Sequence, residues 1–417
     1  MGKGIGDLGL SPDEAWEGGT PMNDDPNPLP EVPNDGRWDD DPEATPEPDS
    51  KAGSRARIRA ARMALAPSDL LNRPPERAWL LAGLTSKGWP RGILPRGIVG
   101  ILGGAGGVGK SNAALDLAVA VATGGAWFDA ADLFPVAEES RGGTVVILAG
   151  EDDGLEVSRR LWRTLRDRWP DTQERARKAA EVAARVVIFP FAGDPLVTVA
   201  EADQKSGGEV RRTGFGAALV EELAELAAEA NAAGRPLALV VIDPLSRFLA
   251  SGAEVDAAAA TRSIQVAEEV AKLADKPCVL VVHHVTKAAR FDPDGASAND
   301  IRGTSALTDG SRWTAILRAY TREKSGASKG VKPRVVTLPD VVELRVVKSN
   351  YAACPAALVL RRRDDGGLAP ETDAERKERE AEEARDRRAT AEPGATTALP
   401  KTTMAGANKM PKSVLPS

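Results

Sequence analysis

The sequence predicts an α/β domain: a mainly parallel sheet covered on both faces by helices, with antiparallel strands appended and disordered tails at both ends. Two observations carry this expectation. Continuous runs of Val, Ile and Leu alternate with stretches of helical periodicity, the pattern of strands buried on both faces. After Tyr320 the runs give way to short strands separated by turn-like loops, the pattern of an antiparallel extension.

In chain order, residues 1–75 are rich in Pro, Gly and Asp, lack a sustained apolar period and read as a disordered acidic tail. Such a tail is either a solvated leader or a regulatory segment that competes with a nucleic acid or docks a partner. Within it KAGSRARIRAAR, 51–62, reads as a short basic helix. The ordered core is expected over 76–367. GIVGILGG supplies a strand, Gly97 to Leu102, running into glycines, and SNAALDLAVAVATGG a helix stopped by Gly124 and Gly125. GGTVVILAGEDD is a second strand ending in acids. LEVSRRLWRTLRDRWP is an amphipathic helix halted near Pro170, with helical character again over 174–184. RVVIFP, LALVVIDP and CVLVVHH are the next strands, with helices at 216–233 and 255–274. WTAILRAYT, RVVTLP, VVELRVVKSNY and AALVLRRR form the antiparallel set. In 368–390 opposite charges recur at three and four residues, which predicts an exposed charged helix; 391–417 reads as a disordered tail.

Apolar residues make up 42% of the chain and aromatics 4%, so the core must rest on Ala, Val, Leu and Ile. No run of about eighteen apolar residues exists, so no membrane partner is expected. No apolar h-region opens the chain, so no secretory signal is visible. The two cysteines, Cys278 and Cys354, have no metal-like spacing, and a reduced cytoplasmic setting follows. The net charge of −6 hides an asymmetry: residues 1–50 carry 14 acids against Lys3 and Arg37, a net of −12, which leaves +6 for 51–417. That mild positive balance is compatible with a polyanion partner without identifying one.

GAGGVGKS, Gly104 to Ser111, matches the P-loop pattern in full and lies between a strand and a helix. Glycines let backbone N–H groups wrap phosphates, and the helix start adds its dipole. Binding is therefore expected at Gly104, Gly106, Gly107, Val108, Gly109, Lys110, Ser111 and Asn112, with Lys110 on the β- and γ-phosphates of ATP and Ser111 on Mg2+. LALVVIDP ends in Asp243, the carboxylate expected beside that metal. Hydrolysis also needs a group that orients or deprotonates water. Pro244 follows Asp243, so no glutamate stands there; Glu151, ending the strand after the P-loop helix, is the candidate, the bland alternative being a loop acid. Asp152 or Asp153 would then orient Glu151 or sit near the metal.

These segments, with VVHHVTK, RGTSALTDGSRW, VKSNYAA and RRRDDGG, resemble in order the RecA-like P-loop NTPase core of hexameric DNA helicases, and the plasmid RepA replicative helicases and related AAA-labelled ATPases of phages and plasmids most closely. The resemblance covers 79 to about 367. It implies a homo-oligomer, a hexameric ring with ATP between subunits and a basic finger given by the neighbour. The family's finger falls in DGSRW, pointing to Arg312; Arg302 in IRGTS competes, and Lys348 corresponds to a second basic position. Related bacterial helicases carry Lys-Asn-Arg there, whereas this chain has Lys348, Ser349 and Asn350, which shifts the finger to Arg312. Single-stranded DNA would meet channel loops, with Lys287 and Arg290 as contacts and 322–332 as a second basic segment; either could equally be a solvated loop.

Three functions are open on this basis: a ring-forming DNA helicase in phage or plasmid replication, a RecA-like recombination or assembly ATPase without unwinding, and a low-turnover nucleotide switch. No folded N-terminal collar is expected ahead of the core, which suits a compact mobile-element protein. His283 and His284 are the chain's only histidines. Adjacent strand residues point to opposite faces, so one shared metal ion is disfavoured. The resemblance makes His284 a sensor of the γ-phosphate, relaying to Lys287, with His283 as a packing residue.

Overall fold

The computed structural model describes residues 50–84, 87, 90–203, 209–249, 256–286, 296–324 and 334–391. Residues 1–49 and 392–417 lie outside the described residues, as do 325–333 and 287–295, the segment with the DNA-contact candidates Lys287 and Arg290. The chain divides into two compact units, 1–74 and 75–417. The first contains helix α1 (Lys51–Ala60), capped by Ser50, whose hydroxyl accepts from Gly53 N at 3.0 Å, and the short α2 (Pro67–Leu71).

The second unit begins with a hairpin, β1 (Trp79–Leu84) and β2 (Pro90–Pro95), and continues as β3 (Val99–Gly104), α3 (Lys110–Thr123), β4 (Thr144–Ala149), α4 (Gly154–Arg168), α5 (Thr172–Ala183) and β5 (Val186–Pro190). A small hairpin follows, β6 (Ala200–Asp203) with β7 (Glu209–Arg212), then α6 (Gly214–Ala232), β8 (Leu237–Asp243), α7 (Leu245–Phe248), α8 (Ala257–Ala271) and β9 (Cys278–His284). The last elements are α9 (Ser305–Gly310), β10 (Trp313–Lys324), β11 (Arg334–Ser349), β12 (Leu358–Arg362), β13 (Leu368–Pro370) and α10 (Asp373–Ala391).

Nine strands make one sheet in the order β13-β12-β11-β10-β3-β9-β8-β4-β5. From β10 to β5 every neighbouring pair is parallel, and β11, β12 and β13 continue antiparallel. The apolar runs have this form because both faces are covered. Leu280 and Val282 of β9 pack with α3, α4 and α5, whereas Val279 and Val281 pack with α6 and α8. This is the α/β fold with a mainly parallel sheet and an antiparallel extension that the sequence predicts.

Three local readings differ. The first strand is Val99–Gly104, two residues later than Gly97 to Leu102, because Gly97, at φ 68°, turns the chain into it. RVVTLP and VVELRVVKS form a single strand, β11: its register against β10 jumps from Val342 to Leu338, so 339–341 bulge out rather than end the strand. The hairpins β1–β2 and β6–β7 have no counterpart in the sequence reading.

One corner after α3 is strained. Phe128 (φ 54°, ψ 29°) and Asp129 (φ 55°) both adopt left-handed backbone, at about 1–3 kcal/mol each. Burial of Trp127 and Phe128 offsets this by about 2–3 kcal/mol per side chain. Trp127 Nε1 donates to Ala113 O (2.8 Å) and Phe128 N to Asp116 Oδ1 (2.6 Å). Arg168 clamps the corner from α4, donating to both Asp116 oxygens (3.0 and 2.8 Å) and to Ala126 O (2.6 Å).

Candidate functional site

GAGGVGKS is the turn from β3 into α3, at the carboxyl ends of the parallel strands, where open α/β sheets take their ligands. Gly104 is required by close approach: a Cβ there would lie 2.6 Å from Leu317 O. Gly109 sits at φ 106°, and a Cβ there would strike Leu368 Cδ1 at 2.6 Å. At Gly106 and Gly107, by contrast, a Cβ would meet nothing within 4 Å, so this side of the turn is open to a ligand. Lys110 is buried, and its Nζ donates to Gly104 O (3.1 Å) and Ala105 O (2.9 Å).

Neighbouring strand ends bring the other candidates here. Gly104 is in register with His284 and Ala149 with Asp243, and Gly150 N donates to Asp243 O at 2.8 Å. His284 Nδ1 lies 3.4 Å from Lys110 Nζ. An ammonium can only donate, so this nitrogen accepts and the ring proton sits on Nε2. Ser111 donates its hydroxyl hydrogen to Asp243. Burial pushes the Asp243 carboxyl up to about 6, against the Ser111 hydrogen bond and the Lys110 charge. Glu151 is exposed two residues beyond Ala149. Its neighbours have other tasks: Asp152 pairs with Arg160 at 2.7 Å, and Asp153 caps α4, accepting from Glu156 N at 2.7 Å.

The donor set fits magnesium and a nucleotide. Ser111 and Asp243 offer hard oxygens of the kind Mg2+ takes, and Asp243 is a desolvated acid that a cation would stabilise in its charged form.

The two histidines part company. The His283 ring is fully buried, with Nε2 donating to Arg302 O at 2.9 Å, and lies 6.4 Å from the His284 ring, centroid to centroid. Burial lowers its pKa from 6.5 to about 4, so the folded protein refuses a proton that the unfolded chain accepts. The resulting stability is present above pH 6.5 and is lost as pH falls from there towards 4, by up to about 1.4 kcal/mol per pH unit. Urea unfolding of wild type and His283→Gln at pH 7 and pH 4.5 is expected to show a shallower acid loss in the variant; parallel losses would exclude His283 as the source.

The basic candidates lie on different edges. Arg302 is exposed, and its N donates to His284 O at 2.8 Å, so it stands on the phosphate edge of its own chain. Arg312 N donates to Val99 O at 3.0 Å, at the opposite end of β3 from Gly104, five residues or about 17 Å away. Arg312 is exposed. Lys348, in register with Thr314, shares that far edge but donates to Thr308 O at 2.6 Å, and burial lowers its pKa.

One participant had no role in the sequence reading. The turn between β12 and β13 lies over the P-loop: Arg362 Nη2 donates to Gly107 O and Val108 O (both 3.1 Å), and Asn112 Nδ2 donates to Gly366 O (2.8 Å). RRRDDGG is visible as a segment, but its partners stand about 250 residues away and no local pattern announces them.

Sheet order, P-loop and the Ser111–Asp243 pair together define a P-loop nucleotide-binding domain. The family AAA_25, described as an AAA domain, matches residues 56–290, more than half of the chain, and the chain belongs to it. Among solved structures it is similar to the RadB recombinase (12% identity, TM-score 0.39, covering 66% of this chain and 92% of that one). It is also similar to a DnaB-like replicative helicase solved with its primase interactions in view (12%, 0.40, 66% and 58%) and to a separately solved ATPase domain (12%, 0.43, 66% and 86%). Among the described residues no helix is long and apolar enough to cross a membrane.

Proposed function

We propose that the chain is an ATP-hydrolysing motor that forms a hexameric ring on single-stranded DNA and unwinds duplex DNA in phage or plasmid replication, in the manner its resemblance to the plasmid RepA helicases and related ATPases of phages and plasmids implies. The observation that carries this reading is the division of charge between two sheet edges. Lys110, Asp243, Glu151 and His284 gather at one edge, while Arg312 is exposed at the other, about 17 Å from its own P-loop. A cation so placed serves the site of another copy, which favours head-to-tail assembly. Lys348 is bonded within its own chain, which favours Arg312 over it, and Arg302 remains a cation of the home site.

Within each site the P-loop backbone from Gly104 to Gly109 cradles phosphates, Asn112 borders them, and Lys110 neutralises the β- and γ-groups. Ser111 and Asp243 would hold Mg2+, which when bound neutralises phosphate charge. Glu151 takes a proton from the attacking water, and Arg312 of the next copy stabilises charge on the transferring group. His284 donates from Nε2 towards the γ-phosphate and passes its presence to the loop bearing Lys287 and Arg290, which would hold the DNA backbone.

The test is ATPase activity with and without single-stranded DNA at a measured oligomeric state, together with strand displacement on a forked duplex. Displacement driven by ATP is the expected result. DNA-stimulated hydrolysis without displacement would favour a recombination or assembly ATPase, and turnover near zero under all conditions would favour a nucleotide switch.

A further inference from the structure

A shallow, solvent-open cleft lies beside the P-loop helix, lined by Asn112 on α3 and by Leu368 and Pro370 of β13. Thr164 and Arg163 of α4 line the facing wall, and Asp129 stands on the rim. The direction of a bound nucleotide follows from the phosphate site. Lys110, His284 and Asp243 mark the γ end, so the ribose and base leave the P-loop on the Asn112 side, into this cleft. Asp116, which anchors the corner carrying Asp129, lies one helical turn beyond Asn112, about 6 Å further along α3. The corner that carries Asp129 is bonded to Asp116 through Phe128 N and so stands further out still, on the side towards which a ribose and base extend.

The corner itself calls for a function. Two successive residues with side chains hold left-handed backbone where glycine would do so without strain, and a buried Arg168–Asp116 pair fixes them there. Strain so firmly held belongs where a side chain must be aimed. What it aims is the Asp129 carboxylate, whose contact with Arg168 Nη1 is 3.3 Å. That guanidinium nitrogen makes no hydrogen bond, so the contact leaves the carboxylate's acceptor capacity available.

We propose that Asp129, held on this corner, accepts a hydrogen bond from the 6-amino group of adenine and so selects adenine nucleotides. The inference rests on the nucleotide reading of the P-loop and extends it to the base. Adenine presents a donor at position 6, whereas guanine presents a carbonyl oxygen that a carboxylate repels. Asp129 is exposed at the rim, so the bond to the 6-amino group discriminates only modestly against analogues that lack the donor.

The test compares competition binding of ATP, GTP, purine riboside 5′-triphosphate (which lacks the amino group) and inorganic tripolyphosphate to the full chain. Wild type is expected to bind ATP about tenfold tighter than purine riboside triphosphate, the lower end for a charge-assisted bond at an open rim. Asp129→Gly, in which glycine accepts the backbone without strain, is expected to abolish that preference while tripolyphosphate binding stays unchanged. Asp129→Asn keeps the corner and an acceptor oxygen and is expected to retain a few-fold preference. A preference that survives in Asp129→Gly overturns the proposal, and so does an equal loss for tripolyphosphate, which would make Asp129 a prop for the loop. If wild type fails to bind tripolyphosphate at all, the phosphate reading falls first, and that failure is separately visible.

Discussion

Glu151→Gln is expected to hold ATP with little change in affinity while hydrolysing it about 100–10,000-fold more slowly, the range for losing a positioned general base. The substitution keeps the shape and removes only the proton acceptor. Glu151 is exposed just beyond β4, where Ala149 is in register with Asp243, so it belongs to the edge that carries the phosphate turn. Its acidic neighbours offer no ready substitute, since Asp152 is engaged by Arg160 and Asp153 caps α4. Equilibrium binding together with single-turnover hydrolysis separates the two effects. Turnover at the wild-type rate would remove Glu151 from the mechanism, and loss of binding would make it a structural residue.

The second large effect appears in a mixture. Lys110→Ala and Arg312→Ala are each expected to lower ATPase activity by about 1000-fold or more, the scale set by removing a phosphate-neutralising cation or a finger. Mixed in equal amounts, they are expected to recover activity towards about a quarter of wild type. In a head-to-tail ring a junction is complete only where an intact Lys110 faces an intact Arg312, which random mixing gives at roughly one junction in four. Arg312 has no route to its own P-loop from the far end of β3, so recovery would have to come across subunits. A mixture no more active than its components would end the case for Arg312.

Much of this was legible in the sequence, and the reason is locality. The P-loop joins adjacent elements, and Asp243 ends an apolar run whose burial on both faces is written into LALVVID. The strand alternation that sets His283 against His284 is likewise local. Contacts between distant segments were not legible. Nothing around Arg362 indicates that it reaches Gly107, and nothing around Asp129 indicates left-handed backbone, because the clamp that holds it, Arg168, comes from another helix. RVVTLP and VVELRVVKSNY read as two strands because their continuity in β11 rests on a register shift that only the pairing with β10 reveals.

The cover that β12 and β13 lay over the P-loop has a consequence for synthesis. Arg362 follows Gly107 by 255 residues, and Gly366 follows Asn112 by 254. At about 5–20 residues per second, a ribosome that has emitted the phosphate turn needs roughly 10–50 s more to deliver the residues that close it. β10, one of the two strands flanking β3, is also late to emerge. The nascent chain therefore carries a central strand without one of its two neighbours, and a phosphate turn without its cover, for most of its translation.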